Sequence, residues 1–506
     1  MTRFQRSATS ALALSLCLGG GPALADLTPQ EVWQNWQSYT AGFGYSLQGT
    51  ETTDGNTLTI RDLNVSMTLP ENAGSVVMTI AEFNFTDNGD GTVTMTIPEV
   101  LPIGMRVDSP DAEDVDMTFN YLTKAFSMLA AGQKDALSYT YSADELSVVL
   151  KELVVEGEPV DIGTAVMTMA SMTGRSDVKT GNLRNIAQNL STGPITYALD
   201  MADPEGEGRI VLDGGLNAMT FTGQGDYPIG MSTSDMGAML EAGFGFDGKF
   251  THEGGRLDFN FTDAGETAQV KTSSDSGAFS VAMDAGKLLY AVSANNVNMD
   301  VVGGELPFPV QIAMAQSGFK LLMPVSEGEA EQDFALGLTL GDLTISDMLW
   351  GLFDPSAQLP RDPATLVLDL AGKARLFVDF LDPEAMADVS GDAAPGELNA
   401  LSINELTLRA AGAELTGTGA FTFDNTDLET FDGMPAADGS VDLKLTGANA
   451  LLDKLVSVGL LPEDQAMGAR MMMGLFAVPG EGEDILTSKI EVQPNGQIMA
   501  NGQRLK

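Results

Sequence analysis

From residue 44 onward, apolar and polar side chains alternate with a period of two, and no other feature limits the possible folds as much. Leu63, Val65, Met67 and Leu69 alternate with Asn64, Ser66 and Thr68, and Val93, Met95 and Ile97 alternate with Thr92, Thr94 and Thr96. The pattern returns at Leu257, Phe259 and Phe261, at Leu366, Leu368 and Leu370, and at Leu415, Phe421 and Phe423. Successive side chains of a strand point to opposite faces, so each run predicts a strand with one wet and one apolar face. Strands of a parallel sheet buried on both sides read as unbroken apolar runs, so this alternation selects antiparallel sheet. Thr86 to Gly91 (TDNGDG) predicts a hairpin turn between two such strands. The expected fold class is mainly β: a long antiparallel curved sheet or a sandwich, with a few peripheral helices.

Helical patterns are confined to residues 28–39, 117–131, 232–241, 344–353, 447–459 and 463–477. The first opens on Thr28 as N-cap, Pro29 at the first helical position and Glu31 placed to close a capping box. Its Trp33 and Trp36 share one face and are expected to pack on the sheet. Near the C-terminus, Leu451, Leu452, Leu455 and Val456 form a helical stripe that Gly459 ends. Pro462 opens a second helix carrying Met467, Met471, Met472 and Met473, before a final hairpin of Ile485 to Val492 and Gln497 to Leu505 around Pro494-Asn495-Gly496. So few helices leave two ways to cover the apolar faces: two sheets face each other, or one curved sheet forms a trough that helices only partly fill. A trough suits an acyl chain. Gly417 and Gly419 share a strand face with Leu415, Phe421 and Phe423, and with Met471 and Met472 they form the candidate ligand or packing groove.

The first 25 residues read as a secretory signal peptide: Arg3 and Arg6, an apolar run from Ala8 to Leu18, and small residues at Ala23 and Ala25 before the expected cleavage site. The apolar run is too short to span a bilayer, and no integral membrane span is expected. The only cysteine, Cys17, lies inside this segment, so the mature chain has no disulfide. The expected address is the periplasm. Residues 26–506 are expected to form a single extended β-rich domain, with a soft boundary at the acidic loop 326–333 and a second loop at 388–397. Without residues 1–25 the chain keeps 24 basic residues against 70 acidic ones, a net charge of −46. Nucleic acid and anionic membrane surfaces would repel it. The expected partners are a lipid-like ligand or another envelope protein.

His252 is the only histidine, which removes zinc sites built from several His or Cys ligands. Its context, Lys249 to Gly255, reads as a strand running into a turn with a solvated ring. No Gly-x-Ser-x-Gly elbow, phosphate loop or dinucleotide fingerprint is present in its structural context. The 86–91 turn supplies Asn88, Asp90 and Gly91 at calcium-loop spacing, but Thr86 and Ile97 stand where the first and last acids belong, so a plain turn is read there. Paired carboxylates of a hydrolase cannot be recognised among 70 acids by inventory, and aromatic content is only 7%. An outer-membrane barrel shares the alternation, but no aromatic girdle recurs at strand ends. No metal, cofactor or catalytic residue is expected.

Leu27-Thr28-Pro29-Gln30-Glu31-Val32-Trp33, Gly42 to Gly49, Leu451 to Leu461, Gly480 to Gly482, Thr487 to Ile490 and Asn495 to Gly502 resemble a proteobacterial family, domain of unknown function 2125. The resemblance implies an exported protein and brings no catalytic residues. The closing pattern of two helices and a hairpin is also similar to the end of AsmA-like envelope proteins, whose long β-grooves are associated with phospholipid handling. Those proteins usually keep an N-terminal membrane anchor, which a cleaved signal would remove, and this argues against a role bridging membranes. The resulting expectation is a non-catalytic periplasmic protein holding a lipid-like ligand on an apolar sheet face. The alternatives are a structural or protein-interaction component of the envelope and, behind it, a carboxylate-based hydrolase.

Overall fold

The structure is a computed structural model of the 506-residue chain and describes residues 26–42, 44–68, 74–108, 114–160, 162–203, 208–231, 236–304, 306–381 and 394–505. The expected signal peptide, with Ala23 and Ala25, lies outside the described residues, as does Leu69. The 26 strands of the described residues join one antiparallel sheet, as expected of one long sheet and not of two separate ones. Pairing follows chain order, which makes the sheet an up-and-down meander. It starts with Ser46–Asp54 on Thr57–Thr68 and runs to Ala436–Thr446 on Ile485–Val492. Three rungs are interrupted, each pair of short strands facing one continuous neighbour. Leu183–Thr192 and Ile195–Ala202, for example, both pair with Arg209–Pro228. Among the described residues no pairing joins the first strand to the last.

Tight turns make this meander possible. At Glu156-Gly157, Ala264-Gly265, Ala411-Gly412 and Asn501-Gly502 both residues have positive φ, the two-residue turn whose twist matches that of the flanking strands. Glycine is required at the second position of each, where φ lies between 77° and 85°.

A crease crosses the sheet near mid-strand. The ladder between Arg209–Pro228 and Gly245–Asp263 skips Asn217 and Gly254, and the following ladders skip Asp275, Asn296, Ala315 and Asp342 at the same level. Gly254, Asn296 and Asp342 there have φ of about +50°, as do Asp62 and Ser171 on earlier strands. Such a residue turns the strand about its axis, so the inward phase changes parity on crossing it. Ile60 and Leu63, three apart around Asp62, are accordingly both buried in one core. Ala143 and Leu146 likewise join a second core with Met169 and Met172, on either side of Ser171.

The main core lies where the N-terminal helix Pro29–Ala41 packs on the first strands. The capping box forms as expected, with Glu31 N–H donating to Thr28 Oγ1 and Thr28 N–H to Glu31 Oε2. Trp33 is buried against Phe85, and Trp36 meets Phe83 and Phe85 edge-on. Further helices are Met236–Glu241, Asp347–Phe353, Ala448–Ser457 and Glu463–Phe476, the last opened by Pro462 as expected.

The helix expected over 117–131 is instead two strands, Val115–Lys124 and Ser127–Gln133. Ala125, with φ 52°, carries the crease there. The frame shift keeps Tyr121, Phe126 and Met128 on one face although 121 and 126 are an odd number of residues apart, which breaks the two-residue period of the segment.

Candidate functional site

Register pairs trace one apolar line across the sheet from Thr57–Thr68 to Ala436–Thr446. It begins Leu58, Phe85, Met95, Met128, Tyr141 and continues through Gly174 and Leu190 to Phe221. From there it follows Phe250, Phe279, Val292, Phe319, Leu338, Leu368 and Leu406 to Gly417 and Leu443. Residues paired in register point to the same face, and this is the face on which the N-terminal helix lies. Phe221 and Phe250 have ring centroids 4.5 Å apart, Phe250 and Phe279 6.4 Å, and Tyr290 joins Phe279 to Phe319 at 5.2 and 6.2 Å. The first three members of the line are buried, whereas Phe250 and Tyr290 are 40% exposed and Val292 41%. Among the described residues, the N-terminal helix covers the line at one end and the middle is partly exposed.

At the helix-covered end the sheet and helix border an open cavity of about 680 Å³. Trp36 and Tyr39 form its helix wall, and Phe83, Tyr121, Tyr139, Tyr141 and Met172 line the sheet side. Its volume falls in the range of about 300–1,000 Å³ usual for small-molecule sites. Burial raises the Tyr121 and Tyr139 phenols above their ordinary range, and that of Tyr39 as well, against the opposing pull of Arg184. Tyr39, Tyr121 and Tyr139 thus stay neutral at any physiological pH. Gly174 is required on this wall, because a Cβ there would stand 2.3 Å from the Tyr141 ring.

One cation sits on this face. Arg184 follows the inward phase of Ile186, Gln188 and Leu190, is only 6% exposed, and donates from Nη2 to Ser38 Oγ at 2.9 Å. Its guanidinium also lies 5.7 Å from the centre of the Tyr39 ring. Desolvation lowers its pKa, with the Tyr39 and Tyr139 hydroxyls opposing that shift. Sequence reasoning missed both this residue and the tyrosine wall. An arginine in the apolar phase of an alternating strand was the available signal.

The groove chosen from sequence is only partly assembled. Leu415, Gly417, Gly419, Phe421 and Phe423 do share one face of Ala413–Asp424. Gly417 is closed by Leu443, whose Cδ2 would lie 2.6 Å from an added Cβ, and Gly419 is closed by Val441. Leu415 and Met472 meet, with Leu443, Leu445, Phe476 and Ile490, around a cavity of about 430 Å³. Met471 is 74% exposed and stands outside it. His252 is not at a strand end: it lies in mid-strand beside the crease, between Met219 and Gly277 in register. Its ring lies over Gly277, and Nδ1 is buried with no hydrogen-bond partner. In the 86–91 turn, Asp87 accepts from Gly89 N–H and Asp90 from Thr92, so both carboxylates serve the turn itself. Among the described residues no cluster of acids, His or Cys is arranged to hold a metal, and no helix is long and apolar enough to cross a membrane.

Comparison with known proteins returns one family, described as uncharacterized protein conserved in bacteria (DUF2125), over residues 248–501. No curated protein and no solved structure matches the chain. The likeness of the C-terminal segment to AsmA-like envelope proteins is carried by none of these comparisons, and the opening residues from Leu27 lie outside the matched span. That span runs from the open aromatic stretch of the line through the two C-terminal helices to the last hairpin, half of the sequence, and on it the chain belongs to the DUF2125 family.

Proposed function

We propose that the protein is a non-catalytic, exported holder of a lipid-like molecule, with the acyl chain lying along the apolar line of the sheet. The observation that carries this reading is the line itself: apolar side chains in register strand after strand, passing from a cavity of about 680 Å³ into an uncovered aromatic stretch. Apolar patches of this extent on a protein mark ligand or partner sites. A trough open along its length accepts a chain without a deep pocket, and its depth of polar chemistry is small. His252 has no carboxylate orienting it among the described residues, which favours holding over hydrolysis. The periplasmic address rests on residues 1–25.

Native mass spectrometry of gently purified protein, with lipid extraction of the same sample, tests the proposal. A bound mass in the lipid range is expected, and Phe279→Asp should remove it. A ligand-free mass, no lipid in the extract and no uptake of added 1-dodecanol would refute it. A second reading, docking of another envelope protein, is favoured by one observation: Met467, Met471 and Leu475 form an exposed apolar ridge on one face of the last helix. Crosslinking from that ridge separates the two.

A further inference from the structure

We infer that Arg184 and Thr180 form an anion-binding anchor at the end of the apolar cavity, and that the molecule held there is a single-chain amphiphile with a carboxylate or phosphate head. The inference rests on the lipid-holding proposal and names its ligand class. Arg184 and Thr180 are register partners on adjacent strands and face the same side. Arg184 Nε and Thr180 Oγ1 are both buried, and neither has a hydrogen-bond partner. A guanidinium is always charged, and burying one without an anion costs several kcal/mol. The chain holds 70 acidic residues, yet among the described residues none pairs with Arg184, while exposed arginines such as Arg209 and Arg175 are paired. Two orphaned donors separated by one rung match the two oxygens of a carboxylate, or two of a phosphate.

The position of the pair relative to the two cavities supplies the rest of the argument. Arg184 opens onto a cavity of about 450 Å³ with Ser38, Tyr39 and Tyr227. Ile186, two residues along the same strand face, lines the 680 Å³ cavity, and Tyr39 lines both. Two residues of strand span roughly 7 Å, a few carbon–carbon bonds. A head on Arg184 therefore delivers its first methylenes to Ile186 and Tyr139, and the chain continues toward Tyr141. The net charge of −44 works against anions in general, so recognition depends on the desolvated cation at short range and on the tail.

Isothermal titration with dodecanoate, dodecyl phosphate and 1-dodecanol tests the anchor. Dodecanoate or dodecyl phosphate should bind the unmodified protein at least tenfold more tightly than 1-dodecanol, and whichever anion binds tighter identifies the head. Arg184→Gln should abolish that advantage, so that all three probes bind alike. Thr180→Val should reduce it several-fold, and Arg184→Lys, which keeps the charge without the planar donor, should restore only part. Equal binding of all three probes to the unmodified protein, or an anion advantage that survives in Arg184→Gln, overturns the anchor while leaving the apolar site in place. No binding of any probe, 1-dodecanol included, overturns the lipid-holding proposal with it. Should Arg184→Gln fail to fold, Thr180→Val decides alone, and an undiminished anion advantage in that variant overturns the anchor.

Discussion

Removing the Trp33 ring should release the N-terminal helix from the sheet and melt it. The indole is buried, sits 6.0 Å from the Phe85 ring centroid, and donates from Nε1 to Glu51 Oε1 at 2.7 Å. A buried Trp covers about 150–250 Å² of apolar surface, worth roughly 4–6 kcal/mol as an upper figure. Measured Trp→Ala losses of about 3–5 kcal/mol agree with it. The bond to Glu51 adds about 1 kcal/mol, kept at the low end because that carboxylate is exposed. A 13-residue helix has little stability of its own in water, so a loss of this size at its largest buried side chain removes the helix and not just a contact. Trp33→Phe keeps most of the ring and loses the bond, about 1–2 kcal/mol. Hydrogen exchange read by mass spectrometry resolves the effect by segment. Amides of Pro29–Ala41 should lose protection in Trp33→Ala, those of Thr57–Thr68 and Ser75–Asp87 should lose some, and those of Gly245–Met323 should be unaffected. Unchanged protection in the helix would refute the reasoning, as would uniform loss along the whole sheet.

Gly174→Leu should cost about 1–3 kcal/mol by driving a side chain into the Tyr141 ring, whereas Gly104→Ala, where nothing lies within 4 Å of the added Cβ, should be neutral or slightly stabilising. Guanidinium midpoints compare the two. Asn296→Val should cost about 1–2 kcal/mol at the crease, where φ is 51° and Nδ2 donates to Asp275 at 2.7 Å, and Asn296→Gly should cost less; equal losses would mean that φ is not what the position demands. Asp484 caps the helix Ala448–Ser457 from outside, accepting from the N–H groups of Asn449 and Ala450. Burial pushes the Asp484 carboxyl up, but bonds from Ala450 and Asn449 and the charge of Arg470 outweigh it and hold the pKa below the usual range. A depressed folded-state pKa gives stability that is present above the unfolded value near 4 and is lost as pH falls through the folded value. Asp484→Ala should therefore cost about 1 kcal/mol at pH 7, with the gap closing below about pH 4; a gap independent of pH would count against the cap.

Two-residue alternation was enough to read antiparallel pairing, the hairpin turns and the exposed character of one face. Cap residues and three-four apolar spacing placed the capping box at Thr28 and the pair of C-terminal helices. What the alternation did not reveal was the crease. At Asp62, Ser171 and Asn296 the apolar phase shifts by one residue without an intervening loop, and a reader looking for uniform alternation takes the shift for noise. At Ala125 the same shift interrupts the alternation between Tyr121 and Phe126, which hides two strands from a two-residue period. The misplaced His252 has the same origin, since Gly254-Gly255 reads as a turn but is the crease in mid-strand. The candidate site was missed for a different reason. Leu415 to Phe423 were chosen for local pattern, yet whether a strand face is covered depends on which helix lies over it. That is decided by contacts far apart in sequence, such as Tyr139 Oη donating to Asn35 Oδ1, 104 residues away.

The charge of the chain and its open apolar face have a joint consequence. Half-exposed Phe250, Tyr290, Val292 and Phe319 lie together, and among the described residues no helix covers them and the sheet has unpaired edges at both ends. Two such faces, or two such edges, brought together would bury apolar surface and complete backbone pairing, which is the route to self-association in open sheets. A net charge of −44 on 506 residues opposes that approach, because like-charged copies repel at distances up to the screening length. That length is about 30 Å at 0.01 M salt and about 3 Å at 1 M. Salt therefore removes the repulsion while strengthening apolar contact, so sedimentation velocity should show a monomer at low ionic strength and concentration-dependent association near 1 M sodium chloride. An acyl ligand covering the aromatic stretch should suppress that association, and Phe250→Lys should suppress it without ligand. A sedimentation coefficient indifferent to salt would mean that the exposed line is not accessible to a second molecule, and the picture of an uncovered trough would fail with it.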